Sequence, residues 1–242
     1  MTDENTVVFW PKIVLFGDSL TQHCFGSEGK WGALLADHLQ RKCDVINRGF
    51  SGYNVRWCKY LLPQLISEED ADVIAAVTIF LGTNDSNDAT LNSKQHVPLE
   101  EYQEGLNEMV EYLQSAGLER HQIILITPPP CDVKAWEKEC TAKGRPMAKS
   151  NKTAGEYAKA CVEAANECGT KCVDLYTAMM KNEGWEEYLH DGLHLSSKGS
   201  EFLFGLLRPL IDQLTSNLKT RFPLWDQIDE KNPEASLCLD TI

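Results

Sequence analysis

The chain is poor in positive charge, in long apolar runs and in paired cysteines, and each scarcity removes a class of function. Lysine and arginine number 23 against 36 aspartates and glutamates, a formal net charge of −13 over 242 residues. A nucleic-acid partner requires a basic face to neutralise phosphates, so none is expected. The same sign disfavours an electrostatic hold on anionic lipid. The longest apolar stretches, Val73 to Leu81 interrupted by Thr78 and Ile123 to Ile126, are too short to cross a bilayer, and no stable membrane insertion is expected. Met1 to Asn5 is polar and acidic and lacks the charged-then-apolar order of a secretory leader, which predicts a cytoplasmic location. The nine cysteines are odd in number and include no Cys-x-x-Cys pair, a usage that fits reduced thiols better than a disulfide framework. Cys168 and Cys172 form at most half a metal site without a second half. Asn84-Asp85-Ser86 and Asn151-Lys152-Thr153 match the glycosylation sequon, and without a secretory route they read as chance matches.

Two motifs are also missing. No Gly-x-Gly-x-x-Gly or Walker pattern offers a phosphate-cradling loop, which counts against a flavodoxin-like binding module devoid of catalysis. No Gly-x-Ser-x-Gly elbow is present, because Tyr53 follows Ser51 and Thr21 follows Ser19 where the last glycine would stand. An α/β-hydrolase fold is therefore not expected.

What remains is a chain 43% hydrophobic, enough for a large core. Lys12 to Gly17 is a short apolar run that stops at a glycine, followed two residues later by Ser19. Trp31 to Arg41 has helical spacing, Asp44-Val45-Ile46 reads as a strand broken at Asn47-Arg48-Gly49, and Asn54 to Ile66 reads as a helix that Pro63 kinks or divides. Val73 to Leu81 is the strongest strand, apolar on both faces and so expected at the centre of a parallel sheet. Pro98 to Ala116 is the clearest helix, with Gly117 placed to cap it. Ile123 to Thr127 is a buried strand, and Cys131 to Pro146 shows no steady period. That segment reads as a long loop or short irregular helix walling a pocket. Ala154 to Cys168 is a helix, Cys172 to Leu175 a last strand, and Ser196 to Leu218 a closing helix. Beyond Lys219 the tail is expected to dock through Phe222, Leu224, Trp225 and Ile228 and to fray towards Ile242. Strand and helix alternate about five times, which implies a covered parallel sheet. The whole chain, 1–242, reads as one domain with its core over about 10–218 and a C-terminal extension over 219–242.

In such a sheet the turns after strands open at one edge. Those turns carry Ser19, Gly49-Phe50-Ser51-Gly52 and Gly82-Thr83-Asn84-Asp85, and Asp191-Gly192-Leu193-His194 can reach the same edge. Each supplies something acyl transfer needs. Ser19 offers a hydroxyl, His194 can take its proton, and Asp191 can fix the imidazole tautomer. The N–H groups of Ser19 and Gly52 and the amide of Asn84 can serve as oxyanion donors. Asp18 reads as a turn-shaping residue, Asp85 as turn chemistry, and His23, His38, His96 and His121 as residues of solvated or packed faces. His190 and His194 have the spacing of two helical metal ligands. Gly192 between them disfavours the helix, and neither a metal nor an organic cofactor is implied.

Gly17-Asp18-Ser19-Leu20, Gly52, Gly82-Thr83-Asn84-Asp85 and Asp191-x-x-His194, in that order, resemble the sequence blocks of the SGNH (GDSL) hydrolases. Gly49 to Trp57, Gln95 to Tyr102 and Asp191 to Ser196 are similar to the branch of isoamyl acetate-hydrolysing esterase homologues. The likeness runs from about Trp10 to Trp225. It implies a flavodoxin-like three-layer α/β/α sandwich with a parallel sheet of about five strands. It also implies a serine esterase using Ser19, Gly52, Asn84 and His194, with short-chain, acetate-type esters favoured. Lysophospholipase, thioesterase or carbohydrate deacetylase activity would use the same machinery. The partner expected is a small-molecule ester, and a homo-oligomer is compatible with the sequence.

Overall fold

A computed structural model describes residues 9–26 and 30–237. Five strands, β1 (Lys12–Gly17), β2 (Asp44–Gly49), β3 (Ile74–Phe80), β4 (Ile123–Ile126) and β5 (Lys171–Val173), form one parallel sheet in the order β2-β1-β3-β4-β5. Val77 and Ile79 of the central β3 face one apolar layer and Ala76 and Phe80 the other, because side chains alternate along a strand. On the first face lie α3 (Val55–Leu61), α5 (Leu99–Ser115) and α7 (Asn151–Cys168). On the second lie α2 (Trp31–His38), α8 (Leu175–Met180) and α9 (Ser197–Leu214). Three short or peripheral helices complete the set that matters here: α1 (Ser19–Gln22), α4 (Glu68–Ala71) and α6 (Val133–Ala142). The expected three-layer α/β/α architecture is the one observed.

The sheet register sets up the site. Gly49, Gly17 and Phe80 stand side by side as the last residues of β2, β1 and β3, and Phe80 continues the row to Ile126 and Val173. The chain therefore leaves neighbouring strands at one level. The strand order reverses at β1, opening a crevice between the loops after β1 and β3.

Several boundaries differ from those expected. Asn47-Arg48-Gly49 does not break β2 but completes it, pairing with Leu15, Phe16 and Gly17. Asn47 stays in the edge strand because its amide donates to the carbonyls of Thr21 and Gln22 at 3.0 Å and so caps the end of α1. Gly49 permits that contact, since a Cβ there would lie 1.9 Å from the Gln22 nitrogen. Pro63 divides its helix, leaving α3 and a 3-10 turn at Leu62–Gln64. Cys131 to Pro146 contains a regular ten-residue helix, α6, capped by Asp132, which accepts from the N–H groups of Lys134 and Ala135. Only Cys140 of α6 is buried, so no apolar period advertised it. The closing helix α9 ends at Leu214 and carries Pro209 within it.

The tail is held differently from the expectation. Trp225 is 86% exposed and Leu224 51%. The anchor is polar: the Arg41 guanidinium donates to the carbonyls of Arg221, Phe222 and Pro223 at 3.0, 2.6 and 2.8 Å. The stretch expected to fray ends in residues 238–242, outside the described residues.

Candidate active site

Asp18 caps α1 by accepting from the Leu20 N–H at 2.9 Å, and so sets Ser19 at the first position of the helix, directly beyond β1. Ser19 Oγ lies 3.0 Å from His194 Nε2. His194 Nδ1 lies 2.7 Å from Asp191 Oδ2. Asp191 Oδ1 also accepts from the N–H groups of Leu193 and His194 at 2.9 and 2.8 Å, so the carboxylate shapes the loop as well as orienting the ring. Burial alone would push the Asp191 carboxyl up, but the His194 ring and these N–H groups hold it down at about 2. An ionised Asp191 keeps the proton on Nδ1 and leaves Nε2 free to accept from the serine hydroxyl.

The His194 loop is fastened to α6. Gly192, with φ of +91°, packs so close that a Cβ would meet Trp136 N at 2.5 Å and Asp132 O at 2.6 Å. The Asp132 N–H donates to the Gly192 carbonyl at 2.9 Å, and Trp136 stands edge-on to the His194 ring.

Three polar donors expected from the sequence, the N–H groups of Ser19 and Gly52 and the Asn84 amide, belong to residues of one cleft. Among the described residues, neither the Ser19 N–H nor the Gly52 N–H has an acceptor inside the protein, although a backbone donor ordinarily finds one. Gly52 has φ of +81°, so glycine is required by its left-handed backbone as well as by close approach. Asn84 Nδ2 donates to the Tyr53 carbonyl at 2.8 Å and stands 3.5 Å from Asp18 Oδ2, so one of its two hydrogens is only loosely held. Ser19, Gly52, Asn84 and His194 all line one cleft of about 410 Å³.

Asp85 does more than shape a turn. It is buried and accepts from Val55 N at 2.8 Å and Gly82 N at 3.1 Å, tying the loop after β3 to the start of α3. Burial pushes its carboxyl up to about 7 and that of Asp18 up to about 6. His190 does not engage Ser19; its ring stands edge-on to that of His194. His190, Asp191 and His194 place ligand atoms within 4.8 Å of one another, but Asp191 is already engaged with His194 and the loop N–H groups. His38 and His121 pair with Asp212 and Glu119, and His96 meets the Asn87 carbonyl, as solvated or packed residues would. His23 is exposed but borders the site, its ring 6.4 Å from that of His194.

Sequence reasoning missed the layer behind these groups. Gln95 Nε2 donates to the Gly52 carbonyl at 2.7 Å and approaches Asn84 Oδ1 at 3.4 Å. Asn87 Nδ2 donates to the Asn84 carbonyl at 2.7 Å, and Lys149 Nζ donates to Thr83 O at 2.5 Å and Asn87 Oδ1 at 2.9 Å. Nothing in the spacing of Gln95 or Lys149 relates them to Asn84; only the folded loops bring them together. The wall expected between Cys131 and Pro146 is present as Trp136, Cys140, Arg145 and Pro146.

Comparison with known proteins points one way. Residues 15–202 match the GDSL-like Lipase/Acylhydrolase family. The chain is 51% identical to the isoamyl acetate-hydrolyzing esterase 1 homolog of Mus musculus over 237 residues, covering 97% of this chain and 95% of that protein. The Homo sapiens homolog is 50% identical over 236 residues, with coverage of 97% and 95%. Among solved structures, a lipase/acylhydrolase from Enterococcus faecalis superposes with a TM-score of 0.66 at 26% identity, covering 88% of this chain and 100% of that one. A mutant acetyl-xylooligosaccharide esterase from Geobacillus gives 0.62 at 25% identity, covering 83% and 94%.

Proposed function

The chain belongs to the GDSL-like lipase/acylhydrolase family and is a serine carboxylic ester hydrolase, and from that premise we propose that Ser19, Asp191 and His194 carry the reaction on short-chain, acetate-type esters. The observation that carries the assignment is the relay of Ser19 Oγ, His194 and Asp191 at 3.0 and 2.7 Å, in a cleft with two backbone N–H groups, of Ser19 and Gly52, that have no protein acceptor among the described residues. His194 Nε2 removes the Ser19 proton as Oγ attacks the ester carbonyl. The carbonyl oxygen, now negative, is received by the N–H groups of Ser19 and Gly52 and by Asn84 Nδ2. Collapse expels the alcohol, which takes the proton from His194, and leaves an acyl ester on Ser19. Water then attacks that ester with His194 again as base, releasing the acid and restoring the hydroxyl.

The acetate preference is supported by the likeness to isoamyl acetate-hydrolyzing esterase homologues and to an acetyl-xylooligosaccharide esterase, whose names specify an acetate or acetyl ester. A cytoplasmic setting is supported by eight described cysteines that are all free. Among the described residues no helix is long and apolar enough to cross a membrane.

Ser19→Ala should remove nearly all hydrolysis of p-nitrophenyl acetate while leaving the circular dichroism spectrum intact, and a fluorophosphonate probe should label the parent protein alone. Undiminished turnover in that variant would end the assignment of the nucleophile.

A further inference from the structure

The cleft reverses the charge of the molecule around it. Acidic residues outnumber basic ones 36 to 23 in the sequence, yet the cleft is lined by two cations, Arg145 and Lys149, and by no aspartate or glutamate. Neither cation forms an ion pair with a described residue. Lys149 is half-buried, and its two hydrogen bonds, to Thr83 O and Asn87 Oδ1, leave one of three ammonium hydrogens uncommitted. Burial pushes the Lys149 ammonium down to about 8, against the pull of the buried carboxyls of Asp18 and Asp85, so it is still largely protonated at neutral pH. Both carboxyls are occupied with backbone N–H groups of their own loops. Arg145 is exposed at the rim, where a planar guanidinium can grip two oxygens at once.

A pair of cations with no ion-pair partner among the described residues, set in a concave, partly desolvated wall, concentrates anions there against the repulsion of the body. A neutral ester gives the pair nothing to bind. With a short acyl group at Ser19, it is the alcohol half that extends along the cleft. We propose that the ester this enzyme is built for carries an anionic group, carboxylate or phosphate, on its alcohol half, held by Lys149 and Arg145 while Ser19 attacks. The inference rests on the esterase reading above and adds the substrate class.

The test compares acetate release from 4-acetoxybutyrate, from 3-acetoxypropyl phosphate and from the neutral 4-acetoxybutyramide, at neutral pH and low ionic strength. At least one anion should exceed the amide in kcat/KM on the order of tenfold, and whichever does so distinguishes carboxylate from phosphate. Roughly 0.5 M salt should shrink the ratio. Arg145→Gln and Lys149→Met should each lower it, whereas Lys143→Gln, which removes the same charge outside the cleft, should not. Because Lys149→Met also loosens the turn that presents Asn84, the readout is the ratio of anionic to neutral substrate and not the absolute rate. A ratio near one in the parent enzyme, or one that neither cleft variant alters, would overturn the proposal while p-nitrophenyl acetate turnover left the esterase reading standing. Loss of the esterase reading itself would show instead as p-nitrophenyl acetate turnover surviving in Ser19→Ala.

Discussion

Gln95 touches no reacting atom, yet it meets both the Gly52 carbonyl and the Asn84 side chain. The bond to the Gly52 carbonyl, with that of the Tyr53 N–H to Phe50 O, fixes the backbone that follows the Gly52 N–H. Accepting from Gln95 at Oδ1 settles which end of the Asn84 amide faces the substrate. Donors of this kind act where charge develops, in the transition state, so misaligning them should lower kcat more than it raises KM. Gln95→Leu is therefore expected to reduce kcat on the order of tenfold with a small change in KM, and Asn84→Ala on the order of a hundredfold or more. Steady-state kinetics on p-nitrophenyl acetate measure both. Asp191→Asn is expected to cost on the order of a hundredfold or more in kcat, because the amide no longer fixes the productive tautomer.

At the scale of elements, the loop of the base and the wall of the pocket are one unit. Gly192 sits against the first turn of α6 with a positive φ and no space for a Cβ. Gly192→Ala should strain the loop and displace His194, lowering the melting temperature and kcat together, which thermal denaturation and kinetics would show. That joint was not legible in the sequence. The contact of Asp191 with His194 was expected, because the two stand three residues apart in a segment that can reach the edge carrying Ser19. β1, β3 and β4 were legible because they are buried on both faces and read as apolar runs, broken within β3 by Thr78 alone. β2 was read too short, since Asn47 and Gly49 are turn residues by type, whereas pairing with Leu15 to Gly17 and the Asn47 bonds to the end of α1 keep the segment extended. α6 was read only as a long loop or short irregular helix, because a helix that buries little but Cys140 shows no apolar period. The tail was misread for the converse reason. Its aromatics suggested packing, but backbone carbonyls on Arg41 hold it and Trp225 faces solvent. Trp225→Ala should accordingly change stability by no more than about 0.5 kcal/mol, as chemical denaturation would report.

For the molecule as a whole, two buried carboxyls beneath the site set a pH dependence of stability. Asp18 and Asp85 titrate at about 6 and about 7 in the folded state, above the ordinary aspartate value near 3.9. A raised folded pKa means that the native state holds the proton more tightly. The associated stability is complete below the unfolded pKa and is lost as pH rises through the folded values. Asp191, held at about 2, has the opposite sign, so its contribution is complete above about 4 and is lost as pH falls towards 2. Thermal denaturation should thus show a melting temperature that declines from about pH 4 to about pH 7 and falls again on strong acidification towards pH 2.

The fastening of Gly192 to α6 has a consequence for how this enzyme can diversify. Remodelling the Trp136 side to admit bulkier alcohols would drag the imidazole with it, so such variants should sacrifice turnover for scope. Leu91, half exposed, lines the same cleft but belongs neither to the His194 loop nor to α6. New selectivity should therefore arise most readily there, by changes that leave the chemical step alone.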